Sequence, residues 1–247
     1  MQPRIFETAQ GQVPLWGAFE SFDAARPLML VVRGAFADLD NMTLLPRFVP
    51  FADVVLAHLP GMHGPFLKDH ALGTFATALD EVIAAAFAGR RTLALGLSTG
   101  ALAAFLLRRP EIRSILAVEP PLTTAGLWPL HDSFRRQMVE EPRFRDWIVE
   151  VFGITEQGVI ARDYRPLVEA VRVPVRVLLG EDPLEPHRAV ERLPSLVGEA
   201  DRRFLQGLPG LRVDQVPGTG HNVPYQNPGY LVAAVRQALL SMTRPGS

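Results

Sequence analysis

Arg90-Arg91-Thr92-Leu93-Ala94-Leu95-Gly96-Leu97-Ser98-Thr99-Gly100-Ala101-Leu102-Ala103-Ala104-Phe105-Leu106-Leu107 is the stretch on which the reading of the fold turns. Residues 92–95 have strand character, Gly96 to Gly100 interrupt them, and a small, Ala/Leu-rich helical run follows. Glycines two positions either side of Ser98 fit a serine held on a tight strand-to-helix turn, where a Cβ would collide with its neighbours. Such a turn pushes the hydroxyl out at the top of a sheet and aims the next helix's N-terminus at charge developing beside it. A pentapeptide of this kind also arises as a serine merely tolerated in a buried turn, so the rest of the chain has to decide.

Working outward, continuous apolar runs occur at Leu28–Val32, bounded by Pro27 and Gly34, and at residues 54–59, ending at Pro60-Gly61. Further runs lie at Ile112–Val118, residues 173–179 and Leu211–Val216. Unbroken strands of this kind are buried on both faces, as in a parallel sheet covered by helices. Phe75, Leu79, Val82, Ile83 and Ala86 share one helical face before Gly89, and the helix after Ser98 should stop near Pro110. Leu231, Val235, Ala238, Leu239 and Met242 make a last amphipathic helix, with Asn227 as cap and Pro228 in its first turn. Residues 4–19 read as an opening antiparallel hairpin around Gly11 and Gln12. Strands alternating with helices give the expected fold class, α/β with a mostly parallel central sheet flanked by helices.

Residues 120–171 break the alternation. They show no strand, while Phe134 and Met138, then Phe144, Trp147, Ile148 and Val151, recur at helical spacing. The expected organisation is therefore a core of residues 1–119 and 172–247 with a small helical lid inserted at 120–171. Trp128, Phe134, Phe144, Trp147 and Phe152 would either hold the inserted helices together or present an apolar underside to a substrate.

Composition narrows the chemistry. With 25 Lys and Arg against 26 Asp and Glu, nothing attracts nucleic acid or an anionic membrane in general, so a small substrate recognised locally is expected. The absence of cysteine removes thiolate nucleophiles, disulfides and Cys-based metal sites. The N-terminal residues lack the pattern of a secretory signal, and the most apolar window is too short and too interrupted to span a membrane. A cytoplasmic protein is expected.

A serine hydroxyl needs a base to take its proton as it attacks. His221, in Pro217-Gly218-Thr219-Gly220-His221-Asn222, follows the 211–216 strand and so lies at the carboxyl edge of the sheet, as Ser98 does. The base in turn needs a carboxylate to hold its tautomer. Asp182, in Gly180-Glu181-Asp182-Pro183, follows the 173–179 strand at the same edge, which makes the chain order Ser98, Asp182, His221.

These features together resemble the α/β-hydrolase fold family from about Arg4 to Met242. The family's serine elbow matches Gly96 to Gly100, and its oxyanion loop resembles Val32-Arg33-Gly34-Ala35-Phe36. Its Pro-Gly turn after the fourth strand resembles Leu59-Pro60-Gly61-Met62-His63-Gly64, and its Gly-x-Gly-His ending resembles Gly218 to His221. The resemblance implies Ser98 as nucleophile, His221 as base, a carboxylate, and the backbone N–H groups of Ala35 and Thr99 as oxyanion hole. It implies no metal and no organic cofactor. The family's acid usually stands three residues after the strand-ending glycine, whereas Asp182 stands two after Gly180. Glu119, ending the preceding core strand, is the alternative, since some members place the acid there. Arg33 replaces a histidine common before the oxyanion glycine and could meet a substrate carboxylate, and His58 stands where aspartate is common. Leu97 replaces a frequent histidine beside the serine. Arg33, Phe36, Leu97, Trp128, Phe134 and Trp147 are the candidate pocket residues.

The expected activity is hydrolysis of an ester, thioester or related acyl bond of a small, moderately apolar substrate through an acyl-enzyme. Acyl transfer, amide hydrolysis and carbon–carbon cleavage use the same triad, and a non-catalytic ligand-binding homologue is the alternative from another class. The shortened loop at Asp182 is that alternative's main support.

Overall fold

A computed structural model describes residues 2–37, 44–183 and 193–242, apart from the side chains of Trp128 and Pro129. The hairpin of β1 (Arg4–Thr8) and β2 (Gly11–Gly17) turns at Ala9 and Gln10, two residues earlier than the sequence suggests, and Gly11 opens β2 at φ +125°. It leads to β3 (Leu28–Val32), β4 (Asp53–Ala57), α1 (Leu72–Ala86), β5 (Thr92–Leu97), α2 (Thr99–Phe105) and β6 (Ile112–Val118). Helices α3 (Trp128–Glu140), α4 (Arg145–Phe152) and α5 (Arg165–Glu169) precede β7 (Val175–Gly180). The chain closes with α6 (Glu199–Gly207), β8 (Leu211–Val216), α7 (Val223–Gln226) and α8 (Pro228–Ser241).

The eight strands form one sheet in the order β1-β2-β4-β3-β5-β6-β7-β8. Among the described residues β2 runs against both its neighbours, and the other adjacent pairs are parallel. Period-two alternation splits each central strand between two cores. Leu28, Leu30 and Val32 pack with Phe75, Leu79, Val82 and Ile83 of α1 and with α2. Met29 and Val31 face the other way, with Leu93, Leu95 and the α8 residues Leu231, Val235 and Leu239. Small residues mark where α2 crosses: Ala94 and Gly96 turn toward it, and a Cβ on Gly96 would run into the backbone of Ala101.

Asn227 caps α8, its side-chain oxygen accepting from the N–H of Tyr230 at 3.1 Å, as a cap asparagine ahead of a first-turn proline should. Helix α2 ends at Phe105, short of Pro110, because Leu106 and Leu107 close onto Ala103 and Ala104 in tighter i→i−3 turns. The insertion after β6 is helical, and its Phe134, Met138, Phe144, Trp147, Ile148, Val151 and Phe152 join the core that covers α1 and α2. Among the described residues no helix is long and apolar enough to cross a membrane.

Candidate active site

Ser98 sits between β5 and α2 at φ +52°, ψ −125°, a backbone region that a residue with a side chain rarely occupies. Two bonds hold it there: its N–H donates to Val118 O at 2.8 Å, and its carbonyl accepts from Ala101 N–H at 2.8 Å. A Cβ on Gly100 would strike the carbonyl of Val32, so α2 can start this close to the end of β3 only at a glycine. The next residues of that strand-end loop lie on the serine itself. A Cβ on Gly34 would stand 2.9 Å from Ser98 Cβ. Ala35 therefore follows a backbone laid against the nucleophile, while the Thr99 N–H opens α2, where first-turn donors lack intrahelical acceptors.

His221 arrives on the loop after β8. Its N–H donates to Pro194 O at 3.1 Å, and Gly220 N–H donates to the side chain of Gln226 at 2.8 Å. Its Nδ1 lies 3.2 Å from Oε2 of Glu119. Glu119 ends β6, is buried, and is itself held at φ +54°. The same Oε2 accepts from Leu196 N–H at 2.8 Å, while Oε1 accepts from Gly180 N–H at 2.6 Å and from the Ser195 hydroxyl at 2.8 Å. An ionised carboxylate only accepts, so four surrounding donors fit a charged Glu119 and a His221 that carries its proton on Nδ1. That tautomer leaves Nε2 with a free lone pair.

Of the two candidate acids, Glu119 is the one that contacts the imidazole among the described contacts. Asp182 is solvent-exposed, and its backbone carbonyl accepts from Ser195 N–H at 3.1 Å. Glu181 turns back to accept from Gly218 N–H at 2.7 Å. Glu119 takes the position against the imidazole. Behind it, Arg202 of α6 is buried and donates to Gly180 O at 2.7 Å and Val197 O at 3.0 Å; burial pulls its guanidinium below the usual arginine range.

Ser98 and His221 border one cavity of about 260 Å³. Arg33 to Ala37 form one wall, Leu97 and Val118 lie beside the serine, and Asn222, Pro224 and Tyr225 complete the histidine side. Of the candidate pocket residues, Arg33, Phe36 and Leu97 line it. Phe134 and Trp147 do not: both are buried behind Phe36, their rings 5.8 Å from its own. The side chain of Trp128 lies outside the described residues. Tyr225 escaped the sequence reading, although its place four residues after His221, on the one-turn α7, was the available signal. A larger crevice of about 570 Å³ between Arg4, Phe6, Phe19, Phe22 and Arg90 lies by the amino ends of the strands, and none of the described residues lining it is a nucleophile.

Arg33 is buried, with Nη2 3.4 Å from Tyr225 Oη. Next to it His58 is buried at the end of β4, its ring 4.3 Å from that of His63, and among the described residues neither of its nitrogens has a hydrogen-bond partner. Burial first, then the neighbouring His63 and Arg33, push the His58 imidazole down to about 3, so it stays neutral. Among the described residues no group of His, Asp or Glu is arranged to hold a metal ion.

The fold recurs in solved structures of low sequence identity. An esterase from Thermogutta terrifontis, solved with malate bound, is 15% identical and superposes with a TM-score of 0.67 over 99% of this chain and 100% of its own. A hydrolase from Pseudomonas aeruginosa PA01 is 16% identical, with a TM-score of 0.67 over 96% of this chain and 98% of its own. The N-formylmaleamic acid deformylase of Pseudomonas putida S16 is 14% identical, with a TM-score of 0.64 over 95% and 99%. No curated protein matches the chain in sequence. A family model described as the alpha/beta hydrolase family matches residues 17–235, which takes in every strand of the sheet from β3 to β8 and both Ser98 and His221. By that match the chain belongs to the alpha/beta hydrolase family.

Proposed function

We propose that the protein is a serine hydrolase that cleaves an ester, thioester or related acyl bond of a small substrate through an acyl-enzyme. One observation carries this reading: a serine in a strained turn shares a small cavity with a histidine whose far nitrogen rests on a buried carboxylate. In the first half-reaction His221 Nε2 takes the proton of Ser98 as Oγ bonds to the acyl carbon. Glu119 stabilises the imidazolium so formed, in the role the sequence had offered first to Asp182. The N–H groups of Ala35 and Thr99 hold the tetrahedral oxygen, each such donor being worth about 3 kcal/mol of barrier. His221 then protonates the leaving group, and water repeats the sequence on the ester of Ser98 to release the acid.

The helical insertion at residues 120–171 would serve as the lid. Its Phe134, Phe144 and Trp147 pack on Phe36, which belongs to the cavity wall, so movement of the insertion reaches the oxyanion loop through that ring. The shortened loop at Asp182, the main support for a catalytically silent binding protein, no longer argues against catalysis when Glu119 supplies the carboxylate.

Labelling with a fluorophosphonate probe tests the reading. The folded protein should gain one adduct on Ser98, and Ser98→Ala should gain none. An unlabelled wild-type protein, or a label that persists in Ser98→Ala, overturns it.

A further inference from the structure

We propose that Arg202 is a positioning residue for Glu119 and His221: its guanidinium holds the two backbone segments that supply Glu119 with donors, and its charge keeps that carboxylate ready to support the imidazole. The proposal rests on the serine hydrolase reading above. Besides His221, three donors meet Glu119, and they come from two places. Gly180 at the end of β7 gives its N–H, while Ser195 gives its hydroxyl and Leu196 its N–H. Arg202, on α6, reaches both places: Nη2 donates to Gly180 O at 2.7 Å and Nε to Val197 O at 3.0 Å. Val197 is tied to the same group of donors, its N–H donating to the Ser195 hydroxyl at 3.1 Å. One planar guanidinium thus fixes the separation of the two segments between which Glu119 lies.

Bracing two carbonyls does not by itself call for a cation, since a neutral amide donates to carbonyls as well. Arg202 is buried, at 2% exposure, and among the described residues no carboxylate comes within ion-pair distance of it. Its Nη1 is buried too and meets no hydrogen-bond partner among those residues. A buried cation without a direct counter-ion costs folding free energy, so its charge has to act at longer range to be worth keeping. The charged groups facing it are Glu119 from the end of β6, Glu199 from its own helix and Asp182 from the loop after β7. Burial pulls the guanidinium below its usual range, and these three pull the other way, Glu119 most strongly. The attraction is mutual, so Arg202 favours the ionised form of Glu119. Asp182 and Glu199 are exposed and screened by water, whereas Glu119 is buried and His221 rests on it from the loop after β8.

The test follows the rate at which a fluorophosphonate labels Ser98 over a pH series, a rate that needs Glu119 ionised and His221 neutral whatever the natural substrate is. Removing a cation favours proton uptake by every group it faces, so without the charge the rate should fall away at a higher pH. Arg202→Gln, which keeps a neutral donor, should move the acid limb upward by about one pH unit and lower the plateau rate roughly ten- to a hundredfold. Arg202→Lys keeps the charge and one donor group, so its acid limb should stay at the wild-type pH while its plateau falls by less. A brace with no electrostatic role would lower both plateaus and leave both limbs in place, and that result overturns the proposal. An acid limb that moves equally in the two variants also overturns it. Should Arg202→Gln not fold, Arg202→Met, neutral and of similar length, takes its place. If neither neutral variant folds, Arg202→Lys decides: an unmoved limb with a lowered plateau supports the proposal, and a limb moved upward overturns it. Each of these failures, with wild-type Ser98 still labelled, leaves the hydrolase reading standing. Failure of the wild-type protein to label overturns the hydrolase reading itself.

Discussion

Glu119 meets donors from three places: the end of β7 at Gly180, the segment at Ser195 and Leu196, and the imidazole of His221. None of these neighbours is close in sequence, His221 lying 102 positions away, so local pattern alone could not pair Glu119 with the imidazole. The Gly96 to Gly100 elbow and the Gly218 to His221 ending were legible because each is a short glycine pattern whose cause is local crowding. Whether a carboxylate reaches a histidine is decided by strand order, which only the assembled sheet displays. Exchanging the acids separates the two readings. Glu119→Gln should lower kcat by about 10³–10⁴-fold, the scale seen when a triad carboxylate is made an amide. It should also cost folding stability of about 1–3 kcal/mol, because the amide N–H₂ confronts donors that had an acceptor. Asp182→Asn, at an exposed position, should keep kcat within about twofold, surface changes of this kind being nearly neutral. Steady-state ester hydrolysis and urea denaturation on the same preparations check both statements.

At the scale of elements, the insertion and the sheet meet through one ring. Phe36 is held at φ +53° in the loop after β3, with Phe144 at 5.2 Å and Phe134 and Trp147 at 5.8 Å from its centre. The helices α3 and α4 were readable from the spacing of their apolar residues, since a helix shows its buried face as a period. Which surface that face would cover was not readable, because an aromatic that binds substrate and one that packs on a neighbouring loop leave the same spacing. Phe36→Ala should therefore loosen α3 and α4 from the loop and blur the position of Ala35 together. The expected outcome is a tenfold or larger loss in kcat/KM, about 1.4 kcal/mol or more of transition-state stabilisation. Faster tryptic cleavage at Arg135, Arg136 or Arg143 in the variant would report the loosening independently, and unchanged cleavage would show that the ring is not the joint.

Across the whole molecule, strain is placed unevenly. Among the described residues the non-glycine positions with positive φ are Phe36, Ser98 and Glu119, and they follow β3, β5 and β6, adjacent strands of the sheet. The rest of the sheet is conventional: central strands buried on both faces, helices on both sides, small residues where α2 crosses. That ordinary body was legible from its apolar runs, whereas the strained points were visible only where glycines flanked them. The price of such a backbone is about 1–3 kcal/mol per residue, drawn from the packing of the rest. Glycine at position 98 relieves the strain and gives back part of the gain as unfolded-chain entropy, about 0.5–1 kcal/mol. Ser98→Gly should thus be inactive yet melt a few degrees higher than wild type, about 2–4 °C for each kcal/mol in a chain of this size. Differential scanning calorimetry, with Ser98→Ala as the control that removes the hydroxyl but keeps the strain, measures it; equal melting temperatures for the two variants would contradict the prediction. In evolutionary terms, the three left-handed residues are a standing debt to catalysis. Drift that selects only for durability would discharge it first at Ser98, leaving a tougher fold that no longer reacts.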